Sequence, residues 1–152
     1  MSLKTFTIIG SGNVATHIGK ALQRQGYIIN GVFSHTLANA EQLAAALHCP
    51  ATDSIGDVPE ADAFLFSVKD SALPSLASEI VKRFGKTPTY IHTAGCIPVS
   101  IFGGGAKRQA VIYPLQTLSK QREIDFRTVP LFIEATDAET VSYTHLRAHE
   151  TR

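Results

Sequence analysis

Gly10, Gly12 and Ala15 stand at the spacing of a turn that accepts a pyrophosphate. Such a turn needs glycine where the chain reverses, a second glycine where backbone must come close to the anion, and a small residue where the next helix packs on the strand. The amides of Ser11, Gly12, Asn13 and Val14 would face the anion at a helix start, where unsatisfied N–H groups and the helix dipole both favour negative charge. A glycine turn in a protein that binds no nucleotide carries the same residue types, so the flanking pattern matters. Phe6 to Ile9 is an apolar, strand-like run, Val14, Ile18 and Leu22 recur on one helical face, and Gly26 ends that helix.

A second chemistry is expected where the next strand ends. Ile28 to Ser34 reads as that strand, although Asn30-Gly31 is also a hairpin-turn dipeptide. An NAD-type site places a carboxylate at this end for the two ribose hydroxyls, whereas an NADP-type site avoids it and offers donors to a 2′-phosphate. Ser34, His35 and Thr36 are donors, and the first acid beyond them is Glu41. The expectation is NADP, with NAD possible. His35 donates fully to a phosphate only when protonated.

The reacting end belongs to other segments. Val68 and Lys69 follow the apolar run Ala63 to Val68 and would flank the nicotinamide-side ribose, while Lys69-Asp70-Ser71 also reads as plain helix-capping sequence with Asp70 or Ser71 as N-cap. His92 is the candidate acid or base and Thr93 a positioning donor, because imidazole titrates near neutral pH; a structural hydrogen bonder is the alternative for His92. Tyr113, Gln116 and Thr117 follow a neighbouring strand and complete a donor set suited to a carboxylate or carbonyl, hence to a small oxo- or imino-acid.

The elements that must position these groups alternate. A strand and helix are followed by Ile28 to Ser34, a helix over Leu37 to Leu47 with Ala40, Leu43, Ala44 and Leu47 inward, a short third strand, Ala63 to Val68, and a helix whose Leu73, Leu76, Ala77, Ile80, Val81 and Phe84 keep helical spacing up to Gly85. Thr89 to His92, a short helix at Val99 to Phe102, Gln109 to Tyr113 and Val129 to Glu134 complete the order. Alternation of this kind predicts an α/β domain with a doubly wound, mostly parallel sheet and helices on both faces. A cofactor would cross the carboxyl ends at the switch point between the first and fourth strands.

Composition narrows the partners. The 152 residues carry 14 basic and 13 acidic side chains, a formal charge of +1, without a like-charge run that would serve nucleic acid or membrane. A small-molecule substrate is expected instead. The two cysteines, Cys49 and Cys96, match no metal or redox spacing, and no membrane-spanning apolar run or signal peptide opens the chain, so a cytoplasmic location is expected.

The turn GSGNVA at Gly10 to Ala15, the strand ending Ser34-His35-Thr36, and the segments HTAGC and YPLQTLSK together resemble the Rossmann-like oxidoreductases whose second half is an all-helical domain of unknown function. Those proteins are distant relatives of pyrroline-5-carboxylate reductase, prephenate dehydrogenase and 6-phosphogluconate dehydrogenase. Where the group has Ser-Arg-Thr this chain has His35, and where it has His-Thr-Ser-Gly this chain has Ala94. The resemblance implies NAD(P)-dependent hydride transfer, with a following helical domain that helps form the substrate cleft and a homodimer. A nucleotide-binding sensor or interaction module without turnover, and a methyltransferase, remain alternatives; the latter generally wants an acid at the end of the second strand.

No helical half follows Glu134. Residues 141–152, VSYTHLRAHETR, back-translate to a string resembling a transposase sequencing adapter, and are read as a non-native tail on a truncated gene. The expected division is a dinucleotide-binding domain over 1–140 and a tail over 141–152. His145 and His149, four residues apart, lie in that tail and are set aside as metal ligands, so no metal is expected.

Overall fold

The computed structural model describes residues 3–114 and 131–136. The segment 141–152, with Gln116 and Thr117, lies outside them. In chain order the elements are β1 (Thr5–Ile9), α1 (Asn13–Arg24), β2 (Ile28–Phe33), α2 (Leu37–Leu47), β3 (Ala51–Thr52), β4 (Ala63–Phe66), α3 (Leu73–Phe84), β5 (Thr89–His92), β6 (Arg108–Pro114) and β7 (Leu131–Ala135). Short 3₁₀ turns occupy Ile55–Asp57 and Val99–Phe102. The seven strands form one sheet in the order β3-β2-β1-β4-β5-β6-β7. Every pairing is parallel except β6 with β7. Strand order therefore reverses between β1 and β4.

Alternation along each strand divides the core between two faces. Phe6, Ile8, Val32, Leu65 and Ile91 pack with Ile18 and Leu22 of α1 and Leu43 and Leu47 of α2. Ile9, Phe33, Phe64, Phe66 and Tyr90 pack on the other side with Leu73, Leu76 and Ile80 of α3 and with Phe102. Each such side chain, taken fully out of water, contributes roughly 1.5–3 kcal/mol, so the sheet is held from both faces and its carboxyl edge is held with it. Gly19 permits the closest of these approaches, since a Cβ there would lie 3.0 Å from both Ile8 Cδ1 and Leu47 Cδ1.

Asn30-Gly31 is a bulge within a parallel strand and not a hairpin turn. Phe6 pairs with Ile29 and Thr7 with Gly31, which leaves Asn30 as the extra residue. The Asn30 amide donates to Glu60 O at 2.9 Å, and a Cβ on Gly31 would sit 2.7 Å from Pro59 Cγ.

The start of α3 also differs from expectation. Neither Asp70 nor Ser71 is the N-cap; Ala72 holds that position without a side-chain cap bond, and a proline occupies the first turn. Lys69 O instead accepts the Ala72 and Leu73 amides at 2.9 and 3.1 Å. Pro74 in the first turn lacks a donor that a cap would otherwise have to satisfy, which removes part of the need for one.

Candidate active site

The glycine turn lies where β1 and β4 part. Gly10 has φ +119°, and a Cβ there would fall 2.0 Å from the carbonyl oxygen of Ser67. The Gly10 amide donates to Phe33 O at 2.7 Å, and the Ser67 amide donates to Ile9 O at 2.8 Å. The turn is thereby tied to the ends of both strands that flank β1. Gly12 is different: its backbone is extended, with φ −78° and ψ −164°, and nothing lies within 4 Å of a Cβ built there. The protein does not need glycine at 12 for its own packing, whereas an anion approaching the backbone does. The first rung of the α1 ladder runs from the Thr16 amide to Gly12 O at 3.0 Å, so the amides of Ser11, Gly12, Asn13 and Val14 precede it. Gly12 and Asn13 are exposed and Ser11 and Val14 half-buried, and the residues present fit a pyrophosphate.

The ribose end adjoins this turn. Ser11 Oγ donates to Ser34 Oγ at 3.3 Å, and the Thr36 amide donates to the same Ser34 oxygen at 3.4 Å. His35 is exposed, its ring set edge-on to Phe33 at 5.5 Å between centroids. Ser34, His35 and Thr36 thus form one short arc beside Ser11, free of carboxylates.

Beyond β4, Val68 is half-buried and Lys69 exposed. Val68 also approaches the turn, its Cγ1 lying 3.2 Å from the Cβ position of Gly10. His92, at the end of β5, has no exposed surface. Its Nδ1 accepts the Ala94 amide at 3.1 Å and its Nε2 faces Pro98 O at 3.0 Å, which assigns the proton to Nε2. Burial lowers the pKa of this imidazole, against smaller raising effects from its bond to Pro98 and from the charges of Asp70 and Glu134. In this arrangement both nitrogens hold the loop that follows β5. Thr93 is committed too, its amide and hydroxyl both donating to Phe66 O at 3.1 and 3.3 Å.

Tyr113 is brought to the same place from β6. Its ring lies over Gly95, where a Cβ would stand 2.7 Å from Cδ2 and Cε2, and it remains 39% exposed. His92, Thr93 and Tyr113 therefore converge at the carboxyl ends of β5 and β6. Ser67, Gly95 and Pro98 act through backbone atoms or through having no side chain, so their types do not mark them in the sequence; the glycine in HTAGC is their one visible signal.

Residues 2–116 match the Rossmann-like domain family. The chain belongs to that family. Among solved structures, a candidate NADP oxidoreductase of Bacteroides fragilis is 38% identical, with a TM-score of 0.87 over 97% of this chain and 57% of that one. Prephenate dehydrogenase of A. aeolicus, solved with hydroxyphenyl propionate and NAD+, shares the fold at 15% identity and TM-score 0.73, covering 93% of this chain and 55% of that one. Pyrroline-5-carboxylate reductase of Coxiella burnetii does so at 17% identity and TM-score 0.72, covering 97% and 57%. This Rossmann-like chain thus spans little more than half the length of each of these three structures. No curated protein sequence matches it. No helix among the described residues is long and apolar enough to cross a membrane.

Proposed function

We propose that this Rossmann-like domain is the cofactor-binding half of an oxidoreductase that moves a hydride between NADP(H) and a small oxo- or imino-acid, its helical second half lying beyond the chain. The observation that carries the reading is the contrast between Gly10, closed against Ser67, and Gly12, open where a pyrophosphate would approach. Gly10, Ser11, Gly12, Asn13 and Val14 would hold the pyrophosphate, Ser34, His35 and Thr36 the 2′-phosphate, and Val68 and Lys69 the nicotinamide-side ribose. NADP(H), when bound, supplies or accepts the hydride. Tyr113, Gln116 and Thr117 would orient a carboxylate or carbonyl, and His92 and Thr93 would hold the loop that follows β5. The candidate NADP oxidoreductase of Bacteroides fragilis supports the nicotinamide class by its name and its 38% identity. In this reading the active protein is a cytoplasmic homodimer assembled through the helical half, and residues 141–152 play no part in it.

A second reading, a nucleotide-binding module without turnover, is favoured by one observation. His92 is buried and both its nitrogens are engaged, leaving no free imidazole at the carboxyl ends of β5 and β6 among the described residues. Fluorescence titration of the 152-residue chain with NADPH, NADH and S-adenosylmethionine tests both. Tighter binding of NADPH is the expected result, and exclusive binding of S-adenosylmethionine would overturn the dehydrogenase reading in favour of methyl transfer. The chain alone should show no steady turnover with oxo- or imino-acids; turnover would place the full catalytic set within it.

A further inference from the structure

We infer that the cleft between α1 and α2 is the cationic part of the 2′-phosphate site, with Lys20 supplying the charge that Ser34-His35-Thr36 lacks. The inference rests on the cofactor reading above and deepens it. A cleft of about 140 Å³ is lined by Ser11, Thr16, Lys20, Asn39, Gln42 and the apolar floor of Leu43 and Ala46. Ser11 belongs both to this cleft and to the ribose arc, through its hydroxyl bond to Ser34 at 3.3 Å. The cleft therefore opens directly beside the place where a 2′-phosphate would sit.

Its lining suits a dianion. Side chains on a helix tilt at Cβ toward its N-terminus, and Lys20, on the last two turns of α1, lines the groove together with Ser11. Asn39, in the first turn of α2, and Gln42, one turn on, add amide donors. Among the described residues no hydrogen bond or ion pair engages the side chains of Lys20, Asn39 or Gln42. Thr16, by contrast, is committed, its hydroxyl donating to Gly12 O at 2.8 Å. Glu41 is the one carboxylate on α1 and α2 together, against Lys20 and Arg24. A half-buried lysine with no carboxylate partner, beside two uncommitted amides, is a place where a phosphate gains charge-assisted bonds without displacing protein ones.

Calorimetric titration of the full chain with NADPH and with NADH, for wild type, Lys20→Gln and Lys20→Arg, tests the inference. Lys20→Gln should weaken NADPH about tenfold or more and leave NADH within twofold, while Lys20→Arg should recover most of the loss. Inorganic phosphate should compete with NADPH in the wild type and leave NADH binding unchanged. An unchanged NADPH:NADH ratio in a folded Lys20→Gln variant, or equal loss of both, would overturn the role of Lys20 and leave the cofactor reading standing. Phosphate competition that persists undiminished in Lys20→Gln would assign the anion to another site and overturn it as well. Wild-type protein that binds neither nucleotide would remove the cofactor reading and this inference together.

Discussion

The ring of Tyr113 lies on Gly95, so closely that a single added carbon at 95 would stand 2.7 Å from two ring atoms. The contact joins the loop after β5 to the end of β6 and closes the side of the candidate site opposite the glycine turn. Gly95→Ala should swing the half-exposed ring outward. Because Gly95 has an ordinary backbone conformation and Tyr113 can rotate into solvent, the stability cost should stay near about 1 kcal/mol, the middle of the range for point changes. A blue-shifted tyrosine absorption with a small drop in Tm is the expected result, and an unchanged spectrum would show that the ring does not rest there.

Gly10 and Gly12 should respond oppositely. Gly10→Ala forces a Cβ into the Ser67 carbonyl at a positive φ, a change expected to cost on the order of 4 kcal/mol or more. At Gly12 an added Cβ meets no atom within 4 Å, so Gly12→Val should cost only about 1 kcal/mol as a helix-cap change. Yet it should abolish nucleotide binding. Denaturant melts paired with NADPH titration check this; a folded Gly12→Val protein that binds NADPH at wild-type affinity would remove the pyrophosphate from that position.

His92 should report its loss as stability. Removing the imidazole orphans the Ala94 amide, at about 1–3 kcal/mol for a group left unsatisfied, while the Pro98 carbonyl keeps the Ile101 amide at 3.2 Å. The pH dependence has a definite sign. The folded pKa is depressed below the ordinary histidine value, so folding favours the neutral ring. That contribution is complete above the unfolded pKa of about 6.5 and is lost as pH falls from there toward the folded value. Tm measured between pH 7.5 and 5 should fall more steeply for wild type than for His92→Gln; parallel curves would mean that the ring titrates alike in the folded and the unfolded protein.

The two thiols should differ in reactivity. Cys96 is exposed and Cys49 half-buried, and burial pushes the Cys49 thiol up to about 11. The thiolate is the nucleophile, so at pH 8 iodoacetamide should label Cys96 well before Cys49. Mass spectrometry of partly alkylated protein reads the order directly. Equal rates would show that the Cys49 side of the β2–β3 edge opens readily.

Tyr90 should anchor α3 to the sheet. Its hydroxyl donates to Gly85 O at 2.6 Å from a fully buried ring, and burial pushes its pKa up to about 12. Tyr90→Phe keeps the packing and orphans one carbonyl, for an expected loss of about 1 kcal/mol. A loss of several kcal/mol in a urea melt would mean that the ring itself had moved.

Much of this architecture was legible in the residues alone. α2 runs over Leu37–Leu47 with Ala40, Leu43, Ala44 and Leu47 buried, because a helix placed against a sheet must repeat apolar residues near every 3.6 positions. The parallel strands announce themselves as short apolar runs, and the spacing Gly10, Gly12, Ala15 marks a chain reversal that leads into a helix. Periodicity and turn chemistry are local properties, so the sequence determined them. Tertiary structure decided what depends on a neighbour from elsewhere in the chain. Asn30-Gly31 has the residues of a hairpin turn but bulges in a parallel strand, because β1 is there to pair with it. Asp70 and Ser71 have capping side chains, but the helix begins at Leu73, because Lys69 O already receives the Ala72 and Leu73 amides. The division of labour between Gly10 and Gly12 follows from a carbonyl 57 residues away, at Ser67. His92, a titratable group at a strand end, is turned inward by the Ala94 amide and the Pro98 carbonyl, two backbone groups whose positions only the folded loop fixes.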